Sequence, residues 1–195
     1  MNLFKKLFST PKEKVSEEPS SELHNLPLDQ IFVENFIKNN GKFLYCTTLQ
    51  EVVLNLNNII QENSWEIINC NDNDLLKLMK SLAIKTTNKL SNKFPTFLSC
   101  EHLIAENGSI LFSSNQLKEH KISELSEHFI VYATTSQLVK TKGESLTGIK
   151  TRYQGNIPSN ISAIKNYTLN SKDEDFLNYG NTNSKNLYLL LFEDL

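Results

Sequence analysis

The chain has 195 residues, 39% of them apolar, and a net charge of -2 from 20 basic and 22 acidic side chains. This is enough chain for one domain with a real core. The charge balance argues against a protein built to neutralise nucleic-acid phosphates, and no apolar run approaches the ~20 residues of a transmembrane helix.

Residues 1–25 are expected to form an amphipathic segment and a linker. Leu3, Phe4, Leu7 and Phe8 are apolar at helical spacing around Lys5 and Lys6. The run is too short for a signal peptide and has no small-residue cleavage site after it. Such a segment touches a membrane or partner, or else frays or docks on its own domain. Serines, prolines and charges then make residues 9–25 a linker.

The folded domain is expected over residues 26–195. Leu28, Ile31, Phe32, Phe36 and Ile37 have helical spacing, and Asn39-Asn40-Gly41 supplies the stop. Phe43–Cys46 reads as a strand, after which Thr47 or Thr48 caps a helix through Ile60. Trp65–Asn69 is a second strand, and residues 71–74 cap a short helix carrying Leu75, Leu76, Leu78 and Met79. This strand-then-helix rhythm predicts an α/β fold with a mostly parallel central sheet flanked by helices.

Further on, Thr96–Leu103 and Ser109–Ser114 flank the turn Ala105-Glu106-Asn107-Gly108. Asn-Gly tolerates positive φ at low cost, which makes it a strong turn signal. The turn can present Glu106 at the rim of a sheet, although solvated glutamates on such turns are commoner than functional ones. Residues 115–126 read as a polar loop and Phe129–Ala133 as a strand. Ser136–Val139 is expected to open a helix. Lys142–Asn156, with Gly143, Gly148 and Gly155, is expected to be an irregular loop without a phosphate-binding pattern. Tyr167–Leu169 reads as a strand, followed by a short helix over residues 173–178. Leu187–Phe192 is a continuous apolar run suited to a strand buried on both faces, and a chain ending in such a strand is expected to close its fold there.

Cys46, Cys70 and Cys100 are odd in number and widely spaced. They suggest neither a zinc site nor a disulfide framework, and free thiols suit a reducing cytoplasm. They fall near strand ends and so along one sheet edge. The four histidines show no ligand spacing, and no cofactor motif is present. Ser171 at a helix start beside Lys172 forms a candidate pocket for a small anion, although Asp173, Glu174 and Asp175 crowd that turn and an ordinary capped helix explains it too. His128 enters a strand as a structural histidine would. Arg152 and Tyr153 sit in the glycine-bearing stretch with nothing to fix their place.

Four blocks together resemble the LUD-domain family, typified by lactate utilisation protein C subunits. Ile104-Ala105-Glu106-Asn107-Gly108-Ser109-Ile110-Leu111 is similar to the family's I-A-E-T-G-T-L block. Glu127–Tyr132 with Ser136–Val139 is similar to its P-x-H-I-V-V … S-x-I-V. Residues 168–175 are similar to T-G-P-S-[KR]-T-A-D, matching Ser171, Lys172 and Asp175. Residues 180–189 are similar to G-x-H-G-P-x-x-L-H-V. The resemblance runs from about Leu28 onward. Leu169-Asn170 stands where the family has Gly-Pro, and Thr182-Asn183-Ser184 where it has His-Gly-Pro, so the ligand loops have changed.

The resemblance implies a fold akin to the ribose-5-phosphate isomerase and CoA-transferase group. It implies an accessory role in lactate utilisation, beside bacterial iron–sulfur subunits that carry electrons from L-lactate oxidation. The three cysteines lack cluster spacing. An alternative follows from the similarity of Glu106-Asn107-Gly108 to the Ser-Glu-Asn-Gly element of CoA-transferases. It is an enzyme using Glu106 as carboxylate nucleophile on an acyl-CoA, phosphorylated or folate-like ligand. On either reading, Glu106 is the candidate catalytic residue and Asn107, Gly108, Ser171, Lys172 and Asp175 are the candidate ligand contacts.

Overall fold

A computed structural model of the chain describes residues 26–168 and 183–194. Helix α1 (Leu28–Lys38) buries Phe32, Val33 and Phe36. It stops where expected: Asn40 takes φ 67°, and the Gly41 N–H donates to the Phe36 carbonyl at 2.9 Å. Strand β1 (Lys42–Cys46) leads to helix α2 (Leu49–Glu62). Thr48 caps it, its hydroxyl accepting from the Glu51 N–H at 3.2 Å. Strand β2 (Ile67–Asn69) leads to helix α3 (Asn73–Met79), whose cap is the Asp72 carboxylate. Next come β3 (Lys85–Thr87), β4 (Thr96–Ser99), β5 (His102–Ile104), β6 (Ser109–Phe112) and the one-turn helix α4 (Ser114–Leu117). The described chain ends with β7 (His128–Thr134), β8 (Leu138–Val139), α5 (Lys142–Arg152), β9 (Ser162–Ile164) and β10 (Asn186–Phe192).

Six strands form a parallel sheet in the order β1-β10-β7-β4-β2-β3. The apolar run near the C-terminus is an interior strand, β10, held between β1 and β7. Leu187, Leu189 and Leu191 of β10 pack on one face with Phe32 and Phe36 of α1, whereas Tyr188 and Leu190 pack on the other with Leu56 and Ile59 of α2. A two-residue period inside an unbroken apolar run is what burial on both faces requires. No helix among the described residues is long and apolar enough to cross a membrane.

The structure corrects several expectations. A second sheet, β8-β5-β6-β9, lies beside the parallel one and shares the core of the α1 face. The expected strand Thr96–Leu103 is therefore two strands in two sheets, broken at Cys100-Glu101. Ser136–Val139 does not open a helix. Leu138 and Val139 pair with Leu103 and Ile104 instead, after a single turn over Thr135–Gln137. The expected loop at 142–156 is mostly helix α5, with Thr141 accepting from the Glu144 N–H at 3.2 Å. Its glycine at 148 reflects close packing, since a Cβ there would lie 3.0 Å from His102 Nε2. The polar loop expected at 115–126 begins inside α4. The strand expected at Tyr167 lies earlier, at β9, and the Tyr167 hydroxyl instead reaches the Gly108 carbonyl at 2.7 Å. The segment 1–25 and the helix expected at 173–178 lie outside the described residues.

Candidate functional site

The turn carrying Glu106 joins β5 to β6 in the second sheet. Its backbone is held from beneath by α1. Asn35 Nδ2 donates to the Ala105 carbonyl and Asn39 Nδ2 to the Asn107 carbonyl, both at 2.8 Å. Asn107 Oδ1 accepts from the Ser109 N–H at 3.0 Å, closing an Asx turn. Gly108 takes φ +65°, and a Cβ there would stand 2.5 Å from the Asn35 and Phe36 backbone. Only glycine meets both the dihedral and the approach. Asn107 and Gly108 thus shape the turn that carries Glu106.

Glu106 itself is exposed. Its Oε1 accepts from the Lys142 N–H at 2.9 Å, the first residue of α5. The carboxylate therefore caps a helix N-terminus, where the helix dipole favours negative charge. Ser171, Lys172 and Asp175 lie outside the described residues.

A different glutamate is the best-organised polar group. Glu101 lies in the two-residue link between β4 and β5 and is only 1% exposed. Its Oε1 accepts from Ser113 Oγ at 2.6 Å, Asn115 Nδ2 at 2.9 Å and Gln116 Nε2 at 3.2 Å. The Tyr153 hydroxyl donates to Oε2 at 3.0 Å, and the half-exposed Arg152 guanidinium stands 3.7 Å from the same oxygen. Burial alone would raise the carboxyl pKa, but the donors from Ser113, Asn115, Gln116 and Tyr153 outweigh it and hold it below the ordinary value. Beside it, the His102 ring is buried, with Nδ1 3.3 Å from the Gln137 carbonyl and Nε2 without a partner. Burial keeps that imidazole below its usual pKa.

This cluster sits near the C-terminal edge of the parallel sheet. From β2 the chain departs to α3 on one face, and from neighbouring β4 it departs to β5 on the other. Such a divergence is where open α/β sheets place ligands. Here the crevice is bridged: Ser99 Oγ donates to Asp72 Oδ2 at 3.0 Å, and Asn71 Nδ2 to the Gln116 carbonyl at 3.3 Å. Further along the edge, Asp194 accepts from Thr135 Oγ1 and Ser136 Oγ at 2.8 and 2.7 Å. Burial is the largest single influence and opposes its ionisation, but the hydrogen bonds together prevail and set its pKa at about 2.

The cysteines do stand at strand ends, at the close of β1 and just after β2 and β4. All three are free and buried, and burial pushes each thiol up, Cys70 to about 11. Among the described residues no group of three or more His, Cys, Asp or Glu could hold a metal ion.

Of the residues singled out in the sequence, Arg152 and Tyr153 meet at Glu101, while Glu106 lies at the other end of α5. That helix has 11 residues, so the two carboxylates are roughly 15 Å apart along its axis. Glu101 was not visible beforehand because its donors come from α4 and the C-terminal end of α5, neither of which the apolar pattern predicted. The one local signal was Ser113 followed by Gln116 at capping-box spacing.

Comparison with known proteins agrees with this architecture. A family model described as the LUD domain matches residues 29–192. No curated protein matches the chain. A crystal structure of a DUF162 family protein from Deinococcus radiodurans shares the fold with a TM-score of 0.61 at 11% identity, over 90% of this chain and 99% of that one. With 164 consecutive positions spanned by the family model, the chain belongs to the LUD-domain family.

Proposed function

We propose that this protein is an accessory, non-catalytic LUD-domain component of lactate utilisation, acting beside iron–sulfur subunits during oxidation of L-lactate to pyruvate. Family membership supports the pathway. The observation that supports the accessory role is the engagement of both candidate carboxylates. Glu101 holds four donors around a buried charge, which leaves it poorly suited to accept a proton or attack a carbonyl. Glu106 Oε1 is tied to the N-terminus of α5. The exposure of Glu106 favours the alternative, a CoA-transferase-like enzyme that uses it as nucleophile.

One complementation experiment separates the two. Deleting the gene should impair growth on L-lactate, and either the wild-type copy or a Glu106→Ala copy should restore it. Unimpaired growth of the deletion strain refutes the pathway. Failure of Glu106→Ala to restore growth, with normal protein levels, supports the enzyme. As a helix cap, Glu106→Ala should cost about 0.5–2 kcal/mol of stability. Tagged protein from lactate-grown cells should also co-purify a partner with iron–sulfur absorbance.

A further inference from the structure

At the opposite edge of the parallel sheet, where β2, β4 and β7 begin, lies a cleft of about 550 Å³, within the size range of small-molecule sites. Trp65, Phe94 and His128 line it, with Glu66, Glu127 and Lys93 exposed around them. None of these residues belongs to the cluster at the other edge.

The cleft is preformed. Asn69 Nδ2 donates to the Ser91 and Phe94 carbonyls at 3.0 and 2.8 Å, fixing the loop on one side. The buried Lys185 ammonium donates to the Leu125 carbonyl at 3.0 Å, fixing the loop on the other. At the end of α2, Ser64 takes φ 54°, a left-handed position usually given to glycine, and turns the chain into Trp65. Trp65 is half-buried. It rests edge-on to Tyr188 at 6.5 Å and tilted against His128 at 5.5 Å. No described residue accepts from its indole N–H. Asn186 Nδ2 lies 3.1 Å from His128 Nδ1. With the amide donating there, the neutral imidazole carries its proton on Nε2.

The cleft therefore offers a flat indole, ring N–H donors and two carboxylate acceptors, with the Lys93 ammonium at the rim and that of Lys185 buried behind the wall. A planar nitrogen heterocycle bearing an exocyclic amine complements that set. We infer that this cleft binds a purine nucleoside, its base stacked on Trp65, a ring nitrogen accepting from His128 Nε2–H and the exocyclic amine donating to Glu127.

Trp65 is the only tryptophan in the chain, and it lines both this cleft and a neighbouring pocket beside Ile60 and Leu82, so the Glu127 and His128 variants, which belong to this cleft and not to its neighbour, assign the quenching. The full-length protein is titrated with adenosine, and the expected result is saturable quenching. Glu127→Gln and His128→Ala should each weaken binding at least tenfold, about 1.4 kcal/mol, with the circular dichroism spectrum unchanged. Glu127→Gln changes an exposed side chain and keeps the test valid if His128→Ala fails to fold. Quenching that stays linear to the solubility limit overturns the inference, as does an affinity left unchanged by Glu127→Gln. Saturation by tetramethylammonium in place of adenosine would make the cleft a cation site and also overturns it.

Discussion

Replacing Glu101 by glutamine tests whether the link between the sheets is held by a buried charge. The substitution preserves shape and removes the negative charge. In its best orientation the amide oxygen still faces Ser113, Asn115 and Gln116, and its NH2 faces Tyr153 and Arg152. Three charge-assisted hydrogen bonds become neutral ones, at about 1 kcal/mol each. The amide is also driven against the guanidinium. A neutral side chain is easier to bury, which offsets part of the loss and leaves about 2–3 kcal/mol of destabilisation. For a domain of this size that lowers Tm by about 4–12 °C. Urea unfolding across pH adds a second readout. Because the folded carboxyl pKa lies below its ordinary value, its stabilisation is complete above the unfolded pKa and is lost as pH falls through the folded one. The gap between wild type and Glu101→Gln should therefore close in acid. A loss below about 0.5 kcal/mol at neutral pH, within the range of an ordinary surface substitution, would refute the reasoning. So would a gap that stays constant as the pH falls.

Two glycines at positive φ separate strain from contact. Gly108→Ala should cost about 2–5 kcal/mol, combining left-handed strain with the 2.5 Å approach to α1, whereas Gly155→Ala, with nothing within 4 Å, should cost about 1–2 kcal/mol. Equal losses in chemical denaturation would show that α1 yields to the methyl group. Burial lowers the pKa of both His102 and His128. The unfolded chain then binds protons first, and stability should fall as pH drops through the unfolded imidazole value of about 6.5. Unfolding free energy that stays flat across that window, while His102→Gln leaves it unchanged, would contradict the buried neutral rings.

Five strands of the parallel sheet were legible because they are short apolar runs, two of them followed by helices capped by Thr48 and Asp72, whereas the edge strand Lys85–Thr87 is polar and was not foreseen. Nor was the second sheet. His102 and Leu103 continue the apolar character of β4, and nothing in Cys100-Glu101 announces a change of sheet. Helix α5 was hidden by its own function in packing. It buries only Ser145 and Ile149 and carries glycine where His102 presses against it, so neither apolar period nor helix propensity marks it. Glu106 drew attention as a carboxylate on a conspicuous turn. The same turn chemistry fixes the backbone between α1 and α5, and Asn35, Asn39 and Tyr167, which hold it, are far away in sequence. Glu101 became visible only when residues separated by 52 positions met on one carboxylate.

The position of β10 has a consequence for biosynthesis. It lies between β1 and β7, yet the ribosome makes it after every other strand of its sheet, and Lys42 must wait for Tyr188, 146 residues later. Until then β1 and β7 each present an open edge, and the apolar faces meant for Leu187–Leu191 are uncovered. Such long-range closure is slow and exposes the nascent chain to mispairing. A chaperone that shields those two edges should raise the yield of native protein more than any stabilising substitution within β10.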